Sequence, residues 1–288
     1  MQTESLEGKI VAVTGASGFI GSNLVEALEL EGAVVKVISH TLPKESLALE
    51  LEGVEFIAHL AAATPFHKNQ EFDQQKCEED KEFTKNLAEA AVKTGALKKF
   101  LFLSGTVVYD LTKSIELDEE TALEPNSLYG KTKLEDEQIL EEIVSQNSEK
   151  LVVLRATSVY GPGQKAAGLI PNTISLALEN KPIEINGNGS MEKDYLWIGD
   201  CVEAIKSALL VGKRVYCIAS GKTVSIKEIV EKIVELSKSS SKISFSESKE
   251  PEPKITVDIS KARSELEWEP KTSIADGLGK QIVWVRKS

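Results

Sequence analysis

Short runs of apolar residues alternate with longer amphipathic segments through the first half of the chain. The short runs are typical of buried strands, and the longer segments are typical of helices that pack on one face. Strands that alternate with helices predict an α/β fold, with a Rossmann-type doubly wound parallel sheet. The predicted strands cover residues 9–14, 34–39, 54–60, 99–104 and 151–155, and the predicted helices cover 19–31, 71–95 and 127–146.

The second half of the chain has shorter elements, separated by turns such as Gly161-Pro162-Gly163. This change predicts a dinucleotide-binding domain over 1–157 and a smaller C-terminal α/β domain, mainly for substrate, over 158–288. We expect a segment at about 196–211 to pack back on the first domain. Residues 41–53 have room for a helix but hardly for a helix and a strand. One strand is therefore expected to be missing or vestigial at that edge of the sheet.

The most informative segment is a glycine-rich turn directly after the first predicted strand. Gly15, Gly18 and Gly21 are spaced three residues apart, with Thr14 in front and a predicted helix behind. A strand, a glycine turn and a helix N-terminus in this order form a pyrophosphate site for a dinucleotide. Gly15 permits the tight turn, Gly18 lets the backbone approach the phosphates, and Gly21 lets the helix pack closely on the strand. The predicted cofactor-binding residues here are Gly15, Ser17, Gly18, Phe19, Ile20 and Gly21.

Tyr129 and Lys133 form the second chemical feature, near the start of the predicted helix 127–146. Their spacing of four places both side chains on one helix face. A phenol ordinarily has a pKa near ~10, and a neighbouring ammonium, helped by a positive nicotinamide ring, lowers it. Tyr129 is therefore the predicted acid/base for a substrate hydroxyl. The other interpretation, a surface Tyr and Lys on an amphipathic helix, is disfavoured by the glycine turn upstream.

Composition and charge exclude several classes of protein. The net charge of −11 argues against a nucleic-acid partner. No apolar run approaches the ~20 residues of a membrane span, and the N-terminus lacks a basic stretch followed by an apolar one. We therefore expect a cytoplasmic protein without a membrane partner. The three cysteines and three histidines are too few and too scattered for a disulfide framework or a metal motif.

Further motifs make the chain similar to the extended short-chain dehydrogenase/reductases, in the NAD-dependent nucleotide-sugar epimerase/dehydratase branch that includes UDP-glucose 4-epimerase-like proteins. The matching segments are residues 14–21, 59–62, 129–133, 154–162, 186–190 followed by 193–198, and 258–263 with 266–270. The resemblance implies a bound NAD or NADP, with Leu60, Ala61 and Ala62 beside it. It implies that Tyr129 takes the proton of a sugar hydroxyl, and that Lys133 holds the nicotinamide ribose. The implied partner is a nucleotide-sugar substrate.

The chain departs from this family at the loop after the predicted strand 99–104. The family has a Ser or Thr there that hydrogen-bonds the substrate oxygen, whereas the alignment puts Gly105 at that position. Ser104 or Thr106 can replace the missing hydroxyl if the loop shifts by one residue, and Thr106 is preferred. Dehydratases of the family carry Asp and Glu directly after this position, where this chain has Thr106 and Val107. This departure disfavours a dehydratase.

A second departure concerns the choice between NAD and NADP. Relatives that prefer NAD often carry an acid for the adenine ribose at the end of the second strand, where this chain has Ser39 followed by His40. Without the acid, a 2′-phosphate is not repelled, and His40 or Lys44 can attract it. In the alternative interpretation, Ser39 and His40 merely begin a surface loop. Both cofactors stay open at this point.

The predicted substrate site also differs from the family pattern. Lys193 stands where relatives usually have an arginine that contacts the diphosphate, and it supplies charge without a bidentate fork. Lys249 or Lys254 is a candidate for a second contact. Ser158 stands where many relatives have an Asn that touches the substrate. Thr106, Ser158 and Lys193 form the predicted substrate-binding set.

Three functions are consistent with these residues. The first is a nucleotide-sugar enzyme, specifically a UDP-sugar 4-epimerase that works through a transient 4-keto intermediate. The second is an NADP-dependent reductase of a keto-sugar or another small carbonyl compound. The third is a non-catalytic cofactor-binding protein, which has no need of Tyr129 and Lys133. The resemblance also implies a homodimer through the helices 71–95 and 127–146, although packing on the chain's own sheet explains their apolar residues equally well.

Overall fold

The computed structural model describes residues 5–64, 74–145, 149–164, 168–247 and 252–287. Its first half contains β1 (Ile10–Thr14), α1 (Phe19–Leu30), β2 (Val34–Ile38), α2 (Lys44–Glu50), β3 (Phe56–His59), α3 (Gln74–Lys93), β4 (Lys99–Gly105), β5 (Ile115–Leu117), α4 (Leu128–Val144) and β6 (Leu151–Ala156). A short 3-10 helix, Thr106–Val108, follows β4. The second half contains β7 (Ser158–Tyr160), α5 (Leu169–Leu178), β8 (Ile183–Asn186), β9 (Glu192–Trp197), α6 (Ile198–Val211), β10 (Arg214–Ile218), β11 (Thr223–Ser225), α7 (Ile226–Ser237), β12 (Ile243–Ser246), β13 (Ile255–Val257), α8 (Ser260–Glu265) and α9 (Ile274–Lys287).

Six parallel strands form the central sheet in the order β10-β6-β4-β3-β1-β2. The five strands predicted from the sequence all lie in this sheet, which confirms the predicted fold class. The prediction missed β10, which pairs with β6 and places Arg214 opposite Val152. Strand β2 is the edge strand, and the described segment between β2 and β3 adds one helix, α2, and no strand to the sheet. The expected missing strand at this edge is therefore confirmed.

Each face of the sheet has its own apolar core, because successive side chains of a strand point to opposite faces. On β4, Leu101 and Leu103 belong to the core with α1 and α6, whereas Phe100 and Phe102 belong to the core with α2, α3 and α4. Helices therefore cover both faces, as a doubly wound sheet requires. Ser104 continues the row of Phe100 and Phe102, so it lies on the α4 side of the sheet.

The chain after residue 157 adds small sheets with the strand orders β11-β9-β7, β12-β8 and β13-β5. Helix α6 packs on α1 and on β3, β4 and β6, and β10 joins the central sheet. Residues 198–218 thus pack on, or join, the central sheet that the first half of the chain forms. The division into two domains at residue 157 stays a prediction.

Helices α3 and α4 pack against each other on one face of the sheet. Leu87 and Ala91 of α3 share a core with Leu140 and Val144 of α4. This packing within the chain accounts for those apolar residues, so the homodimer through these helices stays a prediction. The predicted helix ends at residues 71 and 146 lie outside the described residues.

Two further observations concern the predicted environment of the protein. In the part of the chain that the structure describes, no helix is both long and apolar enough to cross a membrane. Cys77, Cys201 and Cys217 are free thiols, and all three are buried.

Candidate active site

The glycine turn lies between β1 and α1, as predicted. Gly15 has a φ of +68°, and a Cβ at this position would lie 2.8 Å from the Ala61 backbone nitrogen. A Cβ on Gly21 would lie 2.1 Å from the Gly15 carbonyl oxygen. Both distances are too short for a side chain, so the turn and the packing of α1 on it require glycine at these two positions. The predicted role of Gly18, approach to the phosphates, stays a prediction.

The N-terminus of α1 fits the pyrophosphate of a dinucleotide. Its N-cap residue is Gly18, which has no side chain to cap the helix, and its first turn contains no acidic residue. The first-turn N–H groups and the positive end of the helix dipole therefore favour an anion here. Phe19, Ile20 and Gly21 carry these N–H groups, and Ser17 lies in the turn directly before them. These residues would hold the pyrophosphate of NAD.

Thr14 fixes the end of β3 beside the glycine turn. The Thr14 hydroxyl oxygen accepts hydrogen bonds from the backbone nitrogens of Leu60 (3.1 Å) and Ala61 (3.0 Å), and the hydroxyl lies 2.7 Å from His59 Nδ1. The start of the segment Leu60, Ala61 and Ala62 is thereby held against the turn, and the contact of these residues with the cofactor stays a prediction. This function of Thr14 was not predicted, although the residue's place at the end of β1 indicates it.

His59 continues this contact into the interior of the protein. Its other ring nitrogen, Nε2, lies 3.0 Å from the Thr84 hydroxyl of α3. Burial, and to a smaller extent the Lys133 charge, lower the pKa of His59 to about 3. The ring is therefore neutral at physiological pH, with Thr14 donating to Nδ1 and Nε2–H donating to Thr84. His59 is a connector between two threonines rather than an acid/base.

The N-terminus of α4 presents Tyr129 next to the loop that follows β4. Ser127 caps this helix, since its hydroxyl oxygen accepts a hydrogen bond from the Gly130 backbone nitrogen at 3.0 Å. A Cβ on Gly130 would lie 2.2 Å from the Val107 carbonyl oxygen. Glycine at this position lets α4 lie directly against the 3-10 helix 106–108. The structure therefore brings Tyr129 and the Gly105 loop together.

Lys133 lies one turn after Tyr129 and is only 3% exposed. Its ammonium donates a hydrogen bond to the Leu103 carbonyl oxygen at 3.0 Å and lies 4.4 Å from the centroid of the Phe102 ring. Burial lowers the pKa of Lys133, and the Asp136 carboxylate opposes this effect most strongly. The side chain is thus held at the β4–α4 contact.

The electrostatic environment of Tyr129 differs from the prediction. Burial raises the pKa of the Tyr129 phenol, and the carboxylates of Asp80 on α3 and Asp136 on α4 raise it further. The predicted lowering took the Lys133 ammonium and a nicotinamide ring into account, but not burial or these two carboxylates. The protein groups alone keep the phenol protonated, so a bound positive group such as a nicotinamide ring would have to lower its pKa for Tyr129 to act as a base at neutral pH.

Ser104 is hydrogen-bonded to a buried ion pair, that of Glu137 and Arg155. Its hydroxyl donates a hydrogen bond to Glu137 Oε1 at 2.5 Å, and Arg155 Nη2 lies 2.7 Å from Glu137 Oε2. Ser104 is 5% exposed. The hydroxyl therefore stabilises a charged pair between β4, α4 and β6, and this disfavours its predicted catalytic role.

Thr106 lies in the 3-10 helix that α4 contacts. The structure gives its hydroxyl no hydrogen bond to any described residue, whereas its carbonyl oxygen accepts one from Tyr109. Gly105, at the family's hydroxyl position, has room for a side chain, because a Cβ there would lie 3.5 Å from both Ala156 O and Val107 Cγ2. Thr106 is the hydroxyl at this loop that remains available for a substrate oxygen.

The residues predicted to select between NAD and NADP lie in the turn after β2. The Ser39 hydroxyl oxygen lies 2.8 Å from that of Thr41 and accepts a hydrogen bond from the Thr41 nitrogen. Lys44 forms an ion pair with Glu89 at 3.1 Å. The Ser39 and Lys44 side chains therefore have partners within the protein. His40 is exposed and stays a predicted contact.

Lys193 and Ser158 lie on the small β11-β9-β7 sheet. Ser158 is paired with Tyr195, two residues from Lys193 on the same strand, so the side chains of Ser158 and Lys193 share one face. Burial lowers the pKa of Lys193, and no carboxylate among the described residues forms an ion pair with it. Lys254, by contrast, pairs with Glu192 at 2.8 Å. The other predicted contact, Lys249, lies outside the described residues.

The described part of the chain holds no group of three or more His, Cys, Asp and Glu residues placed for a metal ion.

Comparison with known proteins shows the family to which the chain belongs. The model of the NAD dependent epimerase/dehydratase family matches residues 11–219. A protein of Bacillus subtilis described as uncharacterized UDP-glucose epimerase YtcB is 31% identical over 96% of this chain and 97% of its own length. The mouse (Mus musculus) dTDP-D-glucose 4,6-dehydratase is 25% identical over 97% of this chain and 89% of its own.

Solved structures agree with these relatives in fold. The UDP-glucose 4-epimerase of Thermotoga maritima, in complex with UDP-glucose, has a TM-score of 0.86 and 25% identity, and the match covers 96% of this chain and 99% of that one. The UDP-glucuronic acid 4-epimerase of Bacillus cereus, in complex with NAD, has a TM-score of 0.83 and 28% identity, with coverage of 96% and 97%. The comparisons confirm the predicted resemblance, the fold class and the nicotinamide cofactor.

Proposed function

The chain belongs to the NAD dependent epimerase/dehydratase family, and we propose that it is a nucleotide-sugar 4-epimerase that acts on a UDP-sugar. One observation carries the choice of reaction. The loop beside Tyr129 has a free hydroxyl on Thr106 but, in the sequence Gly105-Thr106-Val107, no carboxylate. Elimination of water from a sugar needs acid/base groups beyond the one that serves the oxidised carbon. Epimerisation at C4 needs one acid/base group, which removes and returns the hydroxyl proton, while the nicotinamide cofactor would take and return the hydride.

The cofactor assigned to the site is NAD. When bound, NAD supplies reversible hydride transfer at the sugar carbon. The uncapped N-terminus of α1 would hold its pyrophosphate, and the buried Lys133 would hold its nicotinamide ribose, as the family resemblance implies. Ser39 and Lys44 are bound to Thr41 and Glu89, which leaves His40 as the nearby candidate for attracting a 2′-phosphate.

The residues of the chain divide the proton chemistry between them. The Tyr129 phenolate removes the proton of the C4 hydroxyl as the C4 hydride leaves, and the phenol returns that proton to the ketone oxygen when the hydride comes back to the other face. The Thr106 hydroxyl donates a hydrogen bond to the same oxygen, whose negative charge grows in the transition state. Lys193, a partly buried cation without an ion-pair partner among the described residues, binds the diphosphate.

To test the proposal, the protein is incubated together with NAD and one sugar nucleotide at a time. The sugar nucleotides are UDP-glucose, UDP-galactose, UDP-glucuronic acid and dTDP-glucose. Chromatography with mass spectrometry identifies the products. We expect an isomer of unchanged mass from at least one UDP-sugar, and none from Tyr129→Phe, which removes only the phenolic oxygen. A product lighter by one water molecule would make the protein a dehydratase. Steady consumption of NADPH with a 4-keto sugar, without isomerisation, would make it a reductase.

A further inference from the structure

A line of buried polar side chains runs beneath the proposed site, from the glycine turn to α4. Thr14 contacts His59 at 2.7 Å, and His59 contacts Thr84 at 3.0 Å. The Thr84 hydroxyl in turn lies against the Asp136 carboxylate and favours its charged form by hydrogen bonding. This line joins β1, β3, α3 and α4, and it ends at a buried acid.

Asp136 is unusual among the carboxylates of this region. It is 3% exposed, and its Oδ1 atom has no hydrogen-bond partner among the described residues. A buried carboxylate without full hydrogen bonding is destabilising unless an opposite charge compensates it. Glu137, the next residue, already has Arg155 as its ion-pair partner.

The compensating charge available to Asp136 is Lys133. The two residues are three positions apart on α4, so their side chains lie on the same part of the helix surface. The buried Lys133 charge also requires a counter-ion, because the Lys133 ammonium donates its hydrogen bond to a neutral group, the Leu103 carbonyl. Asp136 is the carboxylate that most favours the charged form of Lys133, ahead of Asp80 and Glu137.

We propose that Asp136 is a positioning residue that acts through Lys133: its carboxylate keeps the buried ammonium protonated and beside Tyr129. The other groups facing Asp136 are the carboxylates of Asp80 on α3 and Glu135 on α4, and Asp80 favours the charged form of Lys133 less strongly than Asp136 does. Asp80 accepts a hydrogen bond from the Ala63 backbone nitrogen, and Glu135 pairs with Lys81 at 2.7 Å. The proposal rests on the proposed function only for the task assigned to Lys133.

The test measures the Lys133 ammonium directly, by the pH titration of its ¹⁵Nζ resonance in wild-type protein and in Asp136→Asn. Lys133→Met assigns the resonance. Residues three apart on a helix have Cβ atoms about 5–6 Å apart, and an opposite charge at about 4–6 Å shifts a pKa by about one unit or more. We therefore expect the Lys133 midpoint to fall by about that amount in Asp136→Asn and to stay unchanged in the matched control Glu135→Gln. Equal midpoints in Asp136→Asn and wild type would overturn the proposal.

A second measurement needs no folded variant at position 136. In wild-type protein, protonation of Asp136 should itself move the Lys133 resonance with a midpoint at about pH 6, and this step should persist in Asp80→Asn. A flat Lys133 resonance from pH 5 to pH 8 would also overturn the proposal. Neither titration involves substrate, so both results are independent of whether the protein epimerises UDP-sugars.

Discussion

The loop at Gly105 allows the catalytic hydroxyl to be moved by one residue. Thr106→Ala removes the proposed hydroxyl, and Gly105→Ser places one at the position where the family has Ser or Thr. The backbone of Gly105 is extended, with φ −152° and ψ 164°, so an L residue adopts it without strain. A Cβ there would meet its nearest neighbours at 3.5 Å, which is ordinary contact. The substitution should therefore not destabilise the fold.

The magnitude follows from the loss of one hydrogen bond to a developing oxyanion. Removing such a donor lowers kcat by about 10²–10³-fold, or about 2.7–4 kcal/mol. We expect Thr106→Ala to lose activity by this factor. The double variant Gly105→Ser with Thr106→Ala should regain most of it, because the new hydroxyl lies in the same loop against α4. The matched control, Gly105→Ala with Thr106→Ala, adds the Cβ without the oxygen and should not recover.

The assay is the rate of UDP-sugar isomerisation under saturating substrate, with thermal unfolding recorded for every variant. Full activity in Thr106→Ala would refute the assigned role of this hydroxyl. Equal recovery in the serine and alanine double variants would also refute it, since the gain would then come from the Cβ and not from a hydrogen bond.

Three other predictions follow from the same contacts. Ser104→Ala should lower the free energy of unfolding by about 1.5–3 kcal/mol, the contribution of a hydrogen bond to a charged group, with little change in kcat; a collapse of kcat at unchanged stability would make Ser104 the catalytic hydroxyl. Lys193→Met should raise the KM for a UDP-sugar about tenfold or more at similar kcat, whereas Lys213→Met, a surface control, should not. The pKa of Asp136 is raised from 3.8 to about 6, so its native state keeps a proton that the unfolded chain loses, and stability falls as pH rises between those values. Asp136→Asn should therefore be about 1–3 kcal/mol more stable than wild type at pH 7.5 but not at pH 4, as measured by denaturant unfolding, and equal stabilities at both pH values would contradict the linkage.

Much of the sheet could be predicted because its central strands are short apolar runs that need burial on both faces. Strand β10 could not be predicted, because Arg214–Ile218 is a short run in a region without a clear hydrophobic pattern. It forms a strand by pairing with β6. Its place depends on residues some 60 positions away (Arg214 opposite Val152), which no local pattern contains.

The glycine positions of the site could also be predicted, because the tight turn at Gly15 and the close packing at Gly21 are features of a local strand–turn–helix motif. The sequence also contains part of the information that separates Ser104 from Thr106. Strand alternation puts the Ser104 side chain on the same face of β4 as Phe100 and Phe102, toward α4. The partner of the Ser104 hydroxyl, Glu137, is set by the packing of α4 on the sheet and is visible only in the structure.

The effect of the two acids that raise the pKa of Tyr129 could not be predicted. Asp80 and Asp136 lie in helices rich in Glu and Lys, where an acidic residue usually faces water. Only the packing of α3 on α4 buries Asp136 and brings Asp80 of α3 close enough to raise the pKa of the Tyr129 phenol. The predicted lowering of the Tyr129 pKa was wrong for the protein groups for this reason.

The central claim is that one hydride leaves and returns to the same sugar carbon within one active site. The direct measurement uses a UDP-sugar that carries deuterium at C4, incubated with the protein and NAD in ordinary water. The account predicts a C4 epimer that keeps its deuterium and its mass. An epimer that has exchanged deuterium for solvent hydrogen, or a product that has lost water, would contradict it.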